Sequence, residues 1–232
     1  PDVATAAALD EGVAAAEARG ALAAAAELAE LAVRFTAPED TENLRRRRLL
    51  AVRLTHRVGD MAAAARLARA VTEGADAQTT REALGVLVEA TYWTEGPAAA
   101  QAVLRPYLDD PATDIHLRAV ALTLAADCGD GRDTPRPELM RQALACFEQV
   151  GPDADPTALG SLLRYQVGVS LDSGEGIPEP VVARIAAVEG RAANLASWMR
   201  LSVVQGFWRK AVDDLDGSRT ALHAAIAQAR AE

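Results

Sequence analysis

Residues 41–72 read TENLRRRRLLAVRLTHRVGDMAAAARLARAVT, and this stretch decides the fold class. From Thr41 to Val58 no proline or glycine interrupts the chain. Gly59-Asp60 breaks the run, and Met61 to Thr72 resumes it with alanine, leucine and arginine, which are strong helix formers. Asp60 stands where an N-cap side chain accepts from backbone N–H groups that the first turn leaves unpaired. The stretch therefore predicts two helices joined by a tight turn.

The same pattern recurs on both sides. The pivots are Gly20, Gly59, Gly96, Gly131, Gly174 and Gly217, separated by 39, 37, 35, 43 and 43 positions. Such spacing is that of helix-pair repeats. Asp2 caps a helix to about Arg19, and Gly20 leads into Ala21 to Phe35, ending before Pro38. Thr79-Thr80-Arg81-Glu82 resembles a capping box opening a helix to Trp93, and Gly96-Pro97 opens one to Leu108. A longer turn, Cys128 to Arg136, precedes Pro137 at a first-turn position. Asp155-Pro156 starts the fifth pair, with Gly174 to Pro178 as its loop. The sixth is predicted as a long helix from about Ala192 to Val212, a break at Asp214 to Ser218 and a final helix. No period-two strand pattern is present. The expectation is an all-α, tetratricopeptide-like superhelix of about six antiparallel helix pairs, one domain over residues 1–232.

Composition agrees with this architecture. Half of the residues are hydrophobic, yet Trp, Tyr and Phe number only three each. The core must then be built from Ala, Leu and Val, and small side chains let helices approach closely. The formal net charge of −9 opposes a general nucleic-acid surface, which needs a basic stripe. Cys128 and Cys146 show neither CxxC nor disulfide-scaffold spacing, so free thiols in a reducing, cytoplasmic setting are expected, with Cys146 packed and Cys128 more reachable. No signal peptide or membrane span is predicted. The missing initiator Met and a helical C-terminus suggest a segment of a longer polypeptide.

The segments Gly20-Ala21-Leu22 with Ala25, Ala29, Ala32 and Pro38, and Gly59-Asp60-Met61 with Ala64, Ala68 and Val71, resemble the second half of tetratricopeptide repeats. More narrowly, Leu22 to Leu31, and Leu215 to Leu222 followed by Ala225 to Glu232, resemble the helical-repeat region of large ATP-binding LuxR-type regulators, similar in layout to the maltose regulator. That layout has an N-terminal ATPase, a helical-repeat sensor and a C-terminal helix-turn-helix. The chain contains neither a Walker motif nor a recognition helix, so the resemblance implies the sensor segment.

Candidate sites follow from helical spacing. Arg45-Arg46-Arg47-Arg48 points in four directions and cannot act as one patch. Arg46, Leu49, Arg53 and His56 with Arg57 line one face, the groove side if the tetratricopeptide register holds. This strip either attracts an anion such as a carboxylate or phosphate, or is a solvated face neutralised by Glu39, Asp40 and Glu42. The same register turns Trp93, Arg164, Arg200 and Phe207 toward the groove, with Tyr165, Trp198 and Trp208 beside it. Aromatics mixed with Arg suit protein interfaces, although large aromatics in an Ala-rich stack also fill core gaps.

Catalytic and metal readings find little support. His56, His116 and His223 lie on separate helices without HExxH or GxSxG motifs. Asp127, Asp130 and Asp133 do not follow EF-hand spacing and read as turn and cap residues. Gly129-Asp130-Gly131 and Gly174-Glu175-Gly176 read as helix connectors, lacking the Lys-Ser/Thr of a phosphate loop. The expected function is a sensor or scaffold segment of a transcriptional regulator, without catalysis, metal or cofactor. It would bind a small-molecule effector, a protein partner or neighbouring domains of the same polypeptide, with no direct nucleic-acid or membrane contact. The alternative is a protein-interaction or self-association module, such as a homo-oligomer, with no small-molecule ligand.

Overall fold

Gly59, at φ 89° and ψ 8°, reverses the chain between α-helices Thr41–Val58 and Met61–Thr72 in a computed structural model, which describes residues 1–128, 135–192 and 200–231. Glycine alone takes this left-handed conformation without a Cβ clash. Asp60 Oδ1 then accepts from the Ala63 N–H at 3.0 Å, capping the return helix. Twelve helices and no strand are present among the described residues, so the all-α class holds.

The chain divides into two compact units, residues 1–132 and 133–232. The first holds α1 (Val3–Ala18), α2 (Leu22–Phe35), α3 (Thr41–Val58), α4 (Met61–Thr72), α5 (Ala77–Glu95), α6 (Pro97–Asp109) and α7 (Ile115–Cys128). Each helix packs on the next in chain order, and α5 also packs on both α3 and α7. The first helices of successive pairs thus share a layer. One cluster joins Val13 and Ala16 of α1, Ala25, Ala26 and Ala29 of α2, and Ala51 and Leu54 of α3. The next joins Leu49 and Val52 of α3, Ala68 and Val71 of α4, and Ala83 and Leu87 of α5. Alanine at every seam allows close approach, and a fully buried leucine such as Leu54 contributes about 1.5–3 kcal/mol.

One boundary in this unit shifts. The expected capping box at Thr79 lies inside α5, because Asp76 Oδ1 accepts from the Thr79 N–H at 2.7 Å and starts the helix at Ala77. A carboxylate acceptor already placed three residues upstream of Thr79 wins.

The second unit holds α8 (Arg136–Val150), α9 (Pro156–Asp172), α10 (Glu179–Glu189), α11 (Leu201–Ala211) and α12 (Leu215–Ala231). Leu162, Leu163 and Val167 of α9 and Ile185 of α10 are fully buried, with Phe147 of α8 nearly so. Two expectations need correction here. The long helix predicted from about Ala192 to Val212 is interrupted at Arg200, which is extended at φ −63° and ψ 142° just before α11, while residues 193–199 lie outside the described residues. The break predicted over Asp214 to Ser218 is instead a reversal ending at Asp214, with Asp213 left-handed at φ 60°. Asp214 Oδ1 accepts from the Gly217 N–H at 2.9 Å, so Gly217 belongs to the first turn of α12. A side chain at Gly217 would collide with that carboxylate, so its glycine serves a close approach and not a break.

The turn expected at Gly131, with Gly129, Asp130 and Asp133, lies outside the described residues, as does Trp198. The two cysteines are placed opposite to expectation: Cys128 is buried and Cys146 only half-buried. No helix among the described residues is long and apolar enough to cross a membrane.

Candidate partner-binding face

Arg46, Arg53 and Arg57 stand seven and eleven residues apart, close to two and three turns of α3, and so form one stripe. Leu49, placed by spacing on the same face, is buried and marks the stripe's inner edge. Acidic residues of the neighbouring first helices flank it. On one side α1 presents Asp10 and Glu17: Arg46 Nη2 lies 2.5 Å from Asp10 Oδ2, and Arg57 Nη1 lies 2.7 Å from Glu17 Oε1. On the other, α5 presents Glu82 and Glu89, 3.7 Å from Arg45 Nη1 and 3.1 Å from His56 Nε2 respectively. Arg53 is exposed and makes no ion pair or hydrogen bond with the protein.

The counter-charges therefore come from other helices. Of Glu39, Asp40 and Glu42, only Glu42 reaches the arginine run, at 3.0 Å from Arg45, while Asp40 accepts from Asn43. Arg47, given no separate role by its spacing, is the anchor. It is 5% exposed, donates Nε and Nη2 to Asp10 at 3.1 and 2.9 Å, and donates Nη1 to Thr36 Oγ1 at 2.8 Å. Thr36 in turn donates to the Ala32 carbonyl at 2.7 Å, so the network ties α1, α2 and α3 together. Burial of Asp10 opposes its ionisation, but hydrogen bonds from Arg47 and Arg46 overcome this and hold its carboxyl below the ordinary range.

The imidazole of His56 behaves in the opposite sense. Glu89 holds its pKa above the ordinary histidine value, against the effect of partial burial. That carboxylate lies 3.1 Å from His56 Nε2.

One turn beyond Glu89, Trp93 is 67% exposed and meets Tyr92 edge-on, with ring centroids 5.5 Å apart. It does not fill a core gap. Five of the expected residues, Arg46, Arg53, His56, Arg57 and Trp93, thus occupy the layer of α3 and α5.

The remaining three belong to the second unit. Arg164 is not on an open face: its side chain is 10% exposed and pairs with Glu189 at 3.2 Å. Gly160, one turn earlier, makes room for the guanidinium, since a Cβ there would lie 2.7 Å from Nη1. Burial pushes the Arg164 pKa down and Glu189 opposes that. Glu189 also accepts from the Leu201 N–H at 2.7 Å, joining α9, α10 and α11. Arg200 precedes α11 and is half-buried, as are Tyr165 and Trp208, while Phe207 is 60% exposed.

Among the described residues, no three His, Cys, Asp or Glu side chains form a cluster able to hold a metal. Models of protein families, curated proteins and solved structures were all compared with the chain, and none matches.

The flanking acids carry no signal in the spacing of α3 alone, because they lie on α1 and α5. Asp10 with Glu17 and Glu82 with Glu89 are each seven apart, the same interval as Arg46 with Arg53. The three equal intervals together mark acidic columns beside a basic one.

Proposed function

We propose that the chain is a helical-repeat sensor or scaffold segment of a larger cytoplasmic transcriptional regulator, working by binding and not by catalysis. The binding face is the layer of α1, α3 and α5. The observation that carries this reading is the exposed, pre-ordered column of charge beside Trp93. Ion pairs to Asp10, Glu17 and Glu89 hold Arg46, Arg57 and His56 in place, so little side-chain freedom is lost on binding. Arg with an exposed indole is also the residue chemistry that dominates interface energetics.

Repeats couple through shared seams, so a partner bridging α3 and α5 would bias their packing and pass its occupancy along the stack. The regulator setting rests on the resemblance to ATP-binding LuxR-type proteins. A Walker motif upstream and a helix-turn-helix downstream in the same reading frame support it, and their absence removes it.

Binding itself is tested by a thermal-shift screen of metabolites combined with light scattering across concentration. A ligand-dependent rise in Tm that Arg53→Ala/His56→Ala abolishes supports an effector-binding face. The exposed Trp93 and Phe207 favour the second reading, a protein-interaction or self-association module. Concentration-dependent size with no ligand response selects it.

A further inference from the structure

Glu89 has two exposed aromatic neighbours on its own helix, Tyr92 three residues on and Trp93 four, the spacings that place side chains side by side. Helical side chains lean toward the N-terminus, so both rings lie over the turn that carries Glu89. The rings stand at 87° to each other with centroids 5.5 Å apart, and form two walls of a corner. An edge-on neighbour covers at most one face of an indole. With Trp93 67% exposed, an indole face is open to solvent. Glu89 is half exposed and, among the described residues, pairs only with His56, through Oε2. A carboxylate has acceptor sites for further donors. Gly85, one turn before Glu89, leaves the approach along α5 clear, since even a Cβ built there meets nothing within 4 Å.

We infer that this corner seats an alkylammonium group, the lysine side chain of a protein partner, with the ammonium between the Trp93 face and the Glu89 carboxylate. The inference rests on the binding face proposed above and names the chemistry of its partner. An aromatic face attracts a cation through its quadrupole, most strongly for indole, and rings set at an angle enclose alkylated ammonium groups. Magnitude selects a side chain over a free cation. At an exposed site the cation–π contact and the ion pair are each worth a factor of about two to five. Their product does not hold a free ammonium ion at millimolar concentration, whereas it adds to the other contacts of a larger partner. The net charge of −9 draws a basic segment to the chain. The α3 cations do not oppose it at the corner. Arg57 is held by Glu17. The pairs Arg45–Glu82 and His56–Glu89 show α3 and α5 running parallel, so Arg53, one turn before His56, lies roughly 10 Å along the axis from Trp93. That exceeds the Debye length of about 8 Å at physiological salt.

The test uses the full chain and a fluorescently labelled nine-residue peptide with three lysines among alanine and one leucine, followed by anisotropy at physiological salt. Two control peptides carry acetyl-lysine or norleucine in place of lysine. Saturable binding is expected for the lysine peptide, weaker by at least about tenfold for both neutral peptides. Trp93→Ala changes no charge, so general attraction to the chain survives it, yet it should weaken lysine-peptide binding about two- to fivefold. Glu89→Gln should do the same, while Glu11→Gln, which removes an equal charge from an exposed position of α1, should not. Far-UV spectra should be unchanged in all three variants. Equal affinity for lysine and neutral peptides, undiminished binding by Trp93→Ala, or equal effects of Glu89→Gln and Glu11→Gln overturns the inference. So does the absence of any binding to the lysine peptide. A metabolite or protein partner that Arg53→Ala/His56→Ala releases, but that Trp93→Ala and Glu89→Gln leave bound, keeps the face and removes the ammonium seat.

Discussion

Replacing Asp10 by alanine should destabilise the first unit by about 3 kcal/mol, the low end of the cost of removing one member of a buried ion pair. The magnitude follows from the geometry. Asp10 receives Nε and Nη2 of Arg47, whose side chain is only 7% exposed, and Nη2 of Arg46. Without Asp10, Arg46 can turn to solvent, but Arg47 keeps only the Thr36 hydroxyl as an acceptor. Its charge then sits in the seam of α1, α2 and α3 with two directions unmet. The Asp10 side chain retains 22% exposure, which lets some water in and keeps the loss from the upper range of about 5 kcal/mol. Urea unfolding followed by circular dichroism would show the midpoint fall by roughly 1–3 M at an m-value of about 1–3 kcal/mol/M. Arg47→Met removes the demand for a counter-charge together with the charge, and should cost less than about 1 kcal/mol.

The pH dependence fixes the sign. The Asp10 carboxyl is held below its ordinary range in the folded chain, so its contribution is complete above the unfolded value of about 3.9. It disappears as pH falls through the lower folded value, where wild type and Asp10→Ala should converge. A loss below about 1 kcal/mol for Asp10→Ala at neutral pH, or a loss as large for Arg47→Met, refutes the reasoning.

In the second unit, Glu189→Ala leaves Arg164 buried without its partner and frees the Leu201 N–H, and should cost about 3–5 kcal/mol by chemical denaturation, against near-neutrality for Arg164→Met. Gly206→Ala places a Cβ 2.6 Å from Leu222 Cδ2 and should cost about 1–3 kcal/mol, lowering the cooperativity of unfolding of α11 and α12 in hydrogen exchange. The His56–Glu89 pair, with Glu89 48% exposed, contributes less than about 1 kcal/mol. Because the His56 pKa is raised on folding, this contribution is full below about pH 6.5 and is lost as pH rises through the folded value. Tm measured across that interval should show a small extra decline in wild type that Glu89→Gln lacks.

The helix order and most of the turns were legible in the sequence because each rested on a local signal. Gly59 and Asp60 combine a left-handed position with a capping carboxylate, and the predicted ends of α3 and α4 coincide with those found. Where two local signals competed, the capping acid prevailed: Asp76 over the Thr79 box, and Asp214 over Gly217. The site was half legible. Helical phase set Arg46, Arg53 and Arg57 on one stripe, but their partners lie 36 and 40 residues away in the case of Asp10 and Glu17, and no periodicity within α3 contains them. Arg47 illustrates the limit most sharply. Its neighbours in the arginine run share its chemistry, and only the packing of α1 and α2 against α3 separates a buried anchor from a solvated charge. Arg164 failed for the same reason, since its depth in the second unit depends on Gly160 and on a glutamate 25 residues away.

The claim that the first-helix layer is the binding face is tested most directly by mapping amide 1H–15N chemical-shift changes over the full chain on addition of a metabolite that raises Tm in the thermal-shift screen. The account predicts changes concentrated at Arg46, Arg53, Gly85 and Trp93, with α2 and α4 nearly unmoved. Changes centred on α2, α4 or the second unit would contradict it.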